Sequence, residues 1–198
     1  MKKEIFYIKV TDGGPFLVYG NPPIDQEIIV PNKDGKSWIY KKGKHFNISP
    51  DAPYCALCRC GESKHAPFCD GSHKTAIWNS KETANFIPIM DKAKVIEGPK
   101  VILADNENLN EEGEETGKIY EPKFEPAIGI IEDPQIAISG PIWVKGGIRI
   151  ESSNGRSYEI RNRVVICRCG CSSNKPFCDG THATAEYYDG LGFEVGNP

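Results

Sequence analysis

A mainly β protein made of two small units, related by an internal pseudo-twofold duplication, is the fold class that three observations predict. Short runs of β-branched and aromatic residues recur between Gly, Pro, Asn and Asp, as strands do between turns. No long amphipathic helix is readable in the chain. The sixteen residues from Cys58 to His73 align without gaps on Cys167 to His182, with eleven identities. The copies set the organisation: residues 1–85 hold a first β segment and its motif (58–73), 86–127 an acidic linker or insert, and 128–198 a second β segment and its motif (167–182).

In the first copy, Ile5–Val10, Phe16–Tyr19, Glu27–Val30 and Trp38–Lys41 read as strands, with a hairpin turn at Asn32-Lys33-Asp34-Gly35. In the second, Pro141–Val144, Ile148–Glu151, Tyr158–Arg161 and Val164–Cys167 do so, with a turn at Ser153-Asn154-Gly155. The repeat extends upstream of the motifs. Gly14-Pro15-Phe16-Leu17-Val18-Tyr19-Gly20 matches Gly140-Pro141-Ile142-Trp143-Val144-Lys145-Gly146, and Gly35-Lys36-Ser37-Trp38 matches Gly155-Arg156-Ser157-Tyr158. A whole unit is therefore duplicated, with a longer approach to the motif in the first copy. Trp38, Trp78 and Trp143 are assigned to core or interface.

Composition excludes several function classes. Lys+Arg 24 against Asp+Glu 27 gives a net charge of −3 over 198 residues, which is not the balance of a basic nucleic-acid binder. Mean hydropathy is −0.43, and no run approaches the roughly 20 apolar residues that a membrane span needs. The first residues lack the apolar core of a signal peptide. A cytoplasmic protein with neither membrane nor nucleic-acid partner is expected. Asp105 to Glu115, with six acidic residues and no basic one, reads as a solvated loop.

Eight cysteines fall into two tight groups, and without a secretion signal they read as metal ligands rather than disulfides. The repeat selects among them. Cys55 aligns with Val164, Cys171 with Glu62 and His65 with Asn174, while His45 lies outside the motif. Shared by both copies are Cys58, Cys60, Cys69 and His73, and Cys167, Cys169, Cys178 and His182. In an extended segment, residues i and i+2 point the same way, so each Cys-x-Cys can pinch one ion. The Cys and His at i and i+4 lie one above the other on a helical turn. Pro67 fixes the turn that brings the second pair back, Asp70 and Ser72 suit a helix start, and Gly71 lets the backbone approach closely. A Cys₃His zinc site is chemically complete, although Cys-x-Cys is unusual for structural zinc. An iron–sulfur cluster spreads four ligands over two irons. The spacing alone leaves both open.

Cys58-x-Cys60-x₂-Ser63-x₃-Pro67-x-Cys69-Asp70-Gly71-Ser72-His73 resembles the CDGSH iron–sulfur domain of the mitoNEET-like family, and the second copy fits with Thr181 in place of Ser. The resemblance covers sixteen residues of each copy strongly and the flanking β segments loosely. It implies two small CDGSH iron–sulfur units, each with short β-strands and a short helical turn after its motif. It also implies two [2Fe–2S] clusters, Cys58 and Cys60 on one iron and Cys69 and His73 on the other, with Cys167/Cys169 and Cys178/His182 holding the second cluster. Two motifs in one chain resemble the tandem branch, in which a monomer imitates a dimer. Three thiolates and one neutral imidazole leave an oxidised core at −1, which favours electron acceptance relative to four thiolates. Protonation of the His competes with the metal as pH falls toward ~6.5. Electron transfer, or cluster transfer to an apo-acceptor protein, is the expected function. A redox or iron sensor and a zinc-stabilised structural module are the alternatives.

Other signals carry less. Gly35-Lys36-Ser37 resembles the end of a phosphate loop, but Val30 stands where that loop needs Gly. Cys55-x-x-Cys58 resembles a redox pair, but Cys58 belongs to the ligand set; Cys55 reads as a spare buried thiol. Cys171 is a bystander or an oxidation site, and His45 and His65 are surface residues, His65 with a possible influence on its neighbouring cluster. No nucleophile is paired with a base, so no independent enzyme site is expected.

Overall fold

Runs of β-branched and aromatic residues form nine strands over residues 6–88 and 124–194, the part of the chain that the computed structural model describes. They are β1 (Tyr7–Val10), β2 (Phe16–Tyr19), β3 (Ile24–Pro31), β4 (Trp38–His45), β5 (Cys55–Leu57), β6 (Ala127–Asp133), β7 (Ile138–Lys145), β8 (Arg149–Glu151) and β9 (Arg163–Ile166). Burial alternates along β1, β2, β5 and β8, as a sheet with one face on a core requires, whereas β3, β6 and β7, inside the other sheet, each bury five consecutive residues. Ile8, Val10, Phe16, Val18 and Leu57 from one copy meet Ile128, Ile130, Ile142, Val144 and Ile166 from the other in a single core.

The duplication is visible in the register. β1 and β2 run antiparallel with Ile8 opposite Val18, and β5 adds to β2 with Phe16 opposite Leu57. Likewise, β6 and β7 pair with Ile128 opposite Val144, and β9 adds to β7 with Ile142 opposite Ile166. After the left-handed glycines Gly20 and Gly146, the next strand of each copy crosses to the other sheet. β8 lies parallel to β1, with Ile8 opposite Ile150, and β3 lies parallel to β6, with Ile24 opposite Ile128. The sheets are ordered β5-β2-β1-β8 and β4-β3-β6-β7-β9. Each copy thus donates a strand to the other, and residues 6–86 and 124–194 group within one compact unit.

Several expectations change. Tyr158–Arg161 is not a strand: Ser157 makes one isolated bridge to Glu151, and Tyr158 is an anchor instead. Its buried ring stacks on Phe86 at 4.3 Å and meets Phe177 edge-on, while its hydroxyl donates to Glu82 at 2.8 Å. Its true counterpart is Phe46 rather than the aligned Trp38. Phe46 N–H donates to Ile24 O as Tyr158 N–H donates to Ile150 O, both at 2.9 Å, and Phe46 meets Phe68 edge-on. Trp38 is 59% exposed on the edge strand and is not in the core. Trp143 and Trp78 are half-buried. β5 and β6 are strands that the sequence did not signal. Asp105–Glu115 lies outside the described residues.

Among the described residues no helix is long and apolar enough to cross a membrane.

Candidate metal centre

Each motif leaves its sheet at Cys58 or Cys167 and folds back on itself. Cys58 N–H donates to Pro67 O, and Cys167 N–H to Pro176 O, both at 2.8 Å. Two side chains per motif staple the loop between. Ser63 Oγ donates to Phe68 O at 2.5 Å and accepts from His65 N–H; Ser172 Oγ does the same with Phe177 O, at 2.7 Å, and Asn174 N–H. Asp70 accepts from the N–H groups of Lys64 and Ser72, and Asp179 from those of Ser173 and Thr181. These bonds hold both carboxyls well below the usual carboxylate range: Asp70 chiefly through Ser72, and Asp179 through Thr181 and Ser173 against some burial.

Helical turns are present, a 3-10 turn at Ser72–Lys74 and an α-helical turn at Thr181–Thr184, but each holds only the His: the Cys lies before the left-handed Gly, so the Cys–His pair does not share one helical turn as expected. Gly71 and Gly180, before these turns, have φ of +91° and +90° with open space at the Cβ position. Left-handed backbone, not close approach, is what requires glycine there. The close approach is at Gly61 and Gly170. A Cβ on Gly61 would lie 2.5 Å from Cys169 O, and one on Gly170 would lie 2.5 Å from Cys60 O. The two Cys-x-Cys segments therefore touch, backbone to backbone.

All eight shared Cys and His residues meet in pairs. Cys58 Sγ lies 3.7 Å from Cys60 Sγ, and Cys167 Sγ 3.6 Å from Cys169 Sγ. Cys69 Sγ lies 3.2 Å from His73 Nδ1, and Cys178 Sγ 3.3 Å from His182 Nδ1. A tetrahedral metal with ~2.3 Å bonds to sulfur separates two sulfurs by about 3.8 Å, and a sulfur and an imidazole nitrogen by about 3.5 Å. The donors fit such bonding pair by pair. Among the described residues, no group of three or more His, Cys, Asp or Glu side chains converges on one ion position. The Cys-x-Cys pairs are buried, while each Cys–His pair is half-buried at the surface.

Local electrostatics favour one thiolate in each buried pair. Cys58 is pulled down to about 6, first by its bond with Cys60 and then, against burial, by the N–H groups of Gly61 and Ser63; Cys60 is pushed up by the same pairing and by burial. Cys167 is pulled to about 6 by Cys169, then against burial by the N–H groups of Ser172 and Gly170, and by Lys175. Burial raises Cys69 and Cys178. Burial, then Arg168, lowers His182, which keeps its imidazole neutral and available as a ligand.

The remaining cysteine and histidine side chains do not join these pairs. Cys55 is buried and free, its thiol pushed up to about 11 by desolvation. Cys171 is exposed, with its N–H 3.5 Å from Cys169 Sγ. His45 pairs with Asp25 at 2.6 Å, and the exposed His65 lies 3.6 Å from Asp70.

The arginine inside each Cys-x-Cys escaped the sequence reading. Arg59 and Arg168 are both 2% exposed. Arg59 donates to the carbonyls of Gly14, Ser80 and Thr11 at 2.9–3.0 Å and lies 4.8 Å from the Trp78 ring. Arg168 donates at 2.7 Å to the carbonyls of Gly140 and Ile131 and to Glu132 Oε1, pairs with Asp189, and lies over Tyr187. Burial lowers the Arg59 pKa. Burial acts on Arg168 too, but Glu132 and Asp189 outweigh it and raise the value. A charged residue retained between the two cysteines of both copies was the available signal.

Two segments of the chain, residues 13–74 and 139–183, match the family described as iron-binding zinc finger, CDGSH type, and together they cover more than half of the chain. No curated protein and no solved structure matches it.

Proposed function

The chain belongs to the iron-binding CDGSH-type zinc finger family, and from that premise we propose that it holds two [2Fe–2S] clusters and passes electrons or whole clusters to a protein partner. When bound, such a cluster takes up and returns one electron. The observation that carries the reading is the meeting of donors two by two, which suits a two-iron core; a single zinc takes four donors at one point. Cys58 and Cys60 would hold the buried iron of the first site, with Cys69 and His73 holding the outer one. Cys167/Cys169 and Cys178/His182 would do the same in the second site.

The chain's own groups prepare each position. Backbone N–H groups from Gly61, Ser63, Gly170 and Ser172 point at the buried thiolates and stabilise their charge. The half-buried Cys–His pair faces solvent, so a proton or an acceptor reaches the histidine end first. Tight packing of the buried pair leaves opening to the outer pair.

The test is the visible spectrum of anaerobically purified protein with iron, acid-labile sulfide and zinc analysis. A red-brown protein with about four irons and four sulfides per chain supports the reading. A colourless protein with about two zincs overturns it. H73C and H182C are each expected to make one cluster more resistant to mild acid and to lower its potential. Unchanged acid lability in both variants would remove the histidines from the ligand set.

A further inference from the structure

The two sites differ in one cation that the duplication does not explain. Lys175 aligns with Ala66, so the first motif has no counterpart. Yet Lys175 is only 4% exposed. Its Nζ donates to Ser172 O at 2.5 Å, and no carboxylate lies within ion-pair distance of it among the described residues. Its backbone is also held: Lys175 O accepts from the N–H groups of Thr83 and Ala84, and the next carbonyl, Pro176 O, accepts from Cys167 N–H. An ammonium group buried without a carboxylate is costly unless another negative charge lies near. Here the ammonium is bonded to the carbonyl of Ser172, the residue whose N–H serves the Cys167 thiolate, and it favours that thiolate.

The neighbouring arginines give this placement a purpose. Arg59 is bonded only to neutral carbonyls, with Asp12 and Glu82 beyond hydrogen-bond contact, and its positive charge acts on Cys60 of its own motif and on Cys167 of the other. Arg168 is matched by Glu132 and Asp189 in direct contact, so it contributes little net charge. We propose that Lys175 is a tuning residue of the second site, supplying the positive charge that the paired Arg168 does not. This rests on the two-cluster reading above. A cation held in a low-dielectric loop beside the ligands favours the reduced, more negative state and so raises the reduction potential.

The experiment is a redox titration of the holoprotein, followed by visible absorption and by the electron paramagnetic resonance of the reduced clusters, in the wild type and in K175M, K175R and A66K. K175M is expected to lower one of two midpoint potentials and leave the other in place, and K175R to restore it. A66K, which places a lysine in the first motif, is expected to raise the other potential. Protein with full iron and sulfide in which K175M moves neither potential, or both equally, overturns the role of Lys175 and leaves the cluster reading standing. Wild-type protein without acid-labile sulfide overturns the cluster reading itself. Should K175M fail to load, an unmoved potential in A66K refutes the proposal and a raised one supports it.

Discussion

In the first motif Arg59 gives its N–H groups to three backbone carbonyls, while in the second Arg168 shares its own between two carbonyls and two carboxylates. The scaffolding around them is otherwise equivalent. Gly14 and Gly140 offer corresponding carbonyls, Thr11 and Ile131 likewise, and an aromatic ring from Trp78 or Tyr187 covers each guanidinium. Beyond the motifs the hairpins differ too: twenty-two positions separate Ile24 from Phe46, but eight separate Ile150 from Tyr158. Donor spacing and backbone bonds are thus held nearly constant, whereas charge and hairpin length have diverged. Geometry at a metal site tolerates little change; the field around it can be adjusted one residue at a time.

Removing each arginine is the strongest way to break this comparison. R168M leaves Glu132 and Asp189 buried without their cation, a loss of about 3–5 kcal/mol. R59M leaves three carbonyls without a donor, expected to cost about 1–3 kcal/mol. Urea unfolding of the two variants under anaerobic conditions ranks them, and an R59M loss equal to that of R168M would mean the charges do not differ as described.

The glycines come next and should respond alike in both copies. G61A and G170A each drive a methyl group into a backbone carbonyl at a left-handed position, for about 2–3 kcal/mol of destabilisation. G71A and G180A meet open space and should lose only the conformational part, about 1 kcal/mol. Equal losses across all four would show that the two motif loops do not press on each other.

A pH effect in the second half is comparable in size to the loss at Arg59. Burial raises Glu132 from 4.5 to about 7, partly opposed by Arg168. The folded state therefore binds more protons than the unfolded chain between those values, and stability is lost as pH rises through that window. E132Q should remove a fall of about 1–3 kcal/mol between pH 5 and pH 8, read from denaturation midpoints at each pH. An unaltered slope would exclude Glu132 as its source. Asp70 and Asp179 act in the opposite direction and far lower: their depressed values contribute stability above ~4 that disappears only in strong acid.

Local chemistry was legible in the sequence wherever it depends on neighbours along the chain. The Cys-x-Cys pairs, the Cys–His pairs at i and i+4, the turns at Gly35 and Gly155 and the strand at Phe16–Tyr19 all follow from short-range spacing. β6 escaped because Gly129 interrupts its apolar run, and its glycine is needed where a Cβ would meet Glu27 Cγ at 2.7 Å. Tyr158 was misread because a buried aromatic beside a turn looks the same whether it continues a ladder or plugs a core.

What the chain by itself determined is therefore the donor set: residue types and their spacing, written twice without gaps. The tertiary structure decided the rest. Only folding could assign β3 to the second sheet and β8 to the first, because neither strand's local pattern names its partner and the choice lies in long-range pairing. Only folding could give Arg59 carbonyls and Arg168 carboxylates, since their partners lie 21 to 48 positions away in sequence. Ligands are local properties of a motif. The field they sit in belongs to the whole molecule.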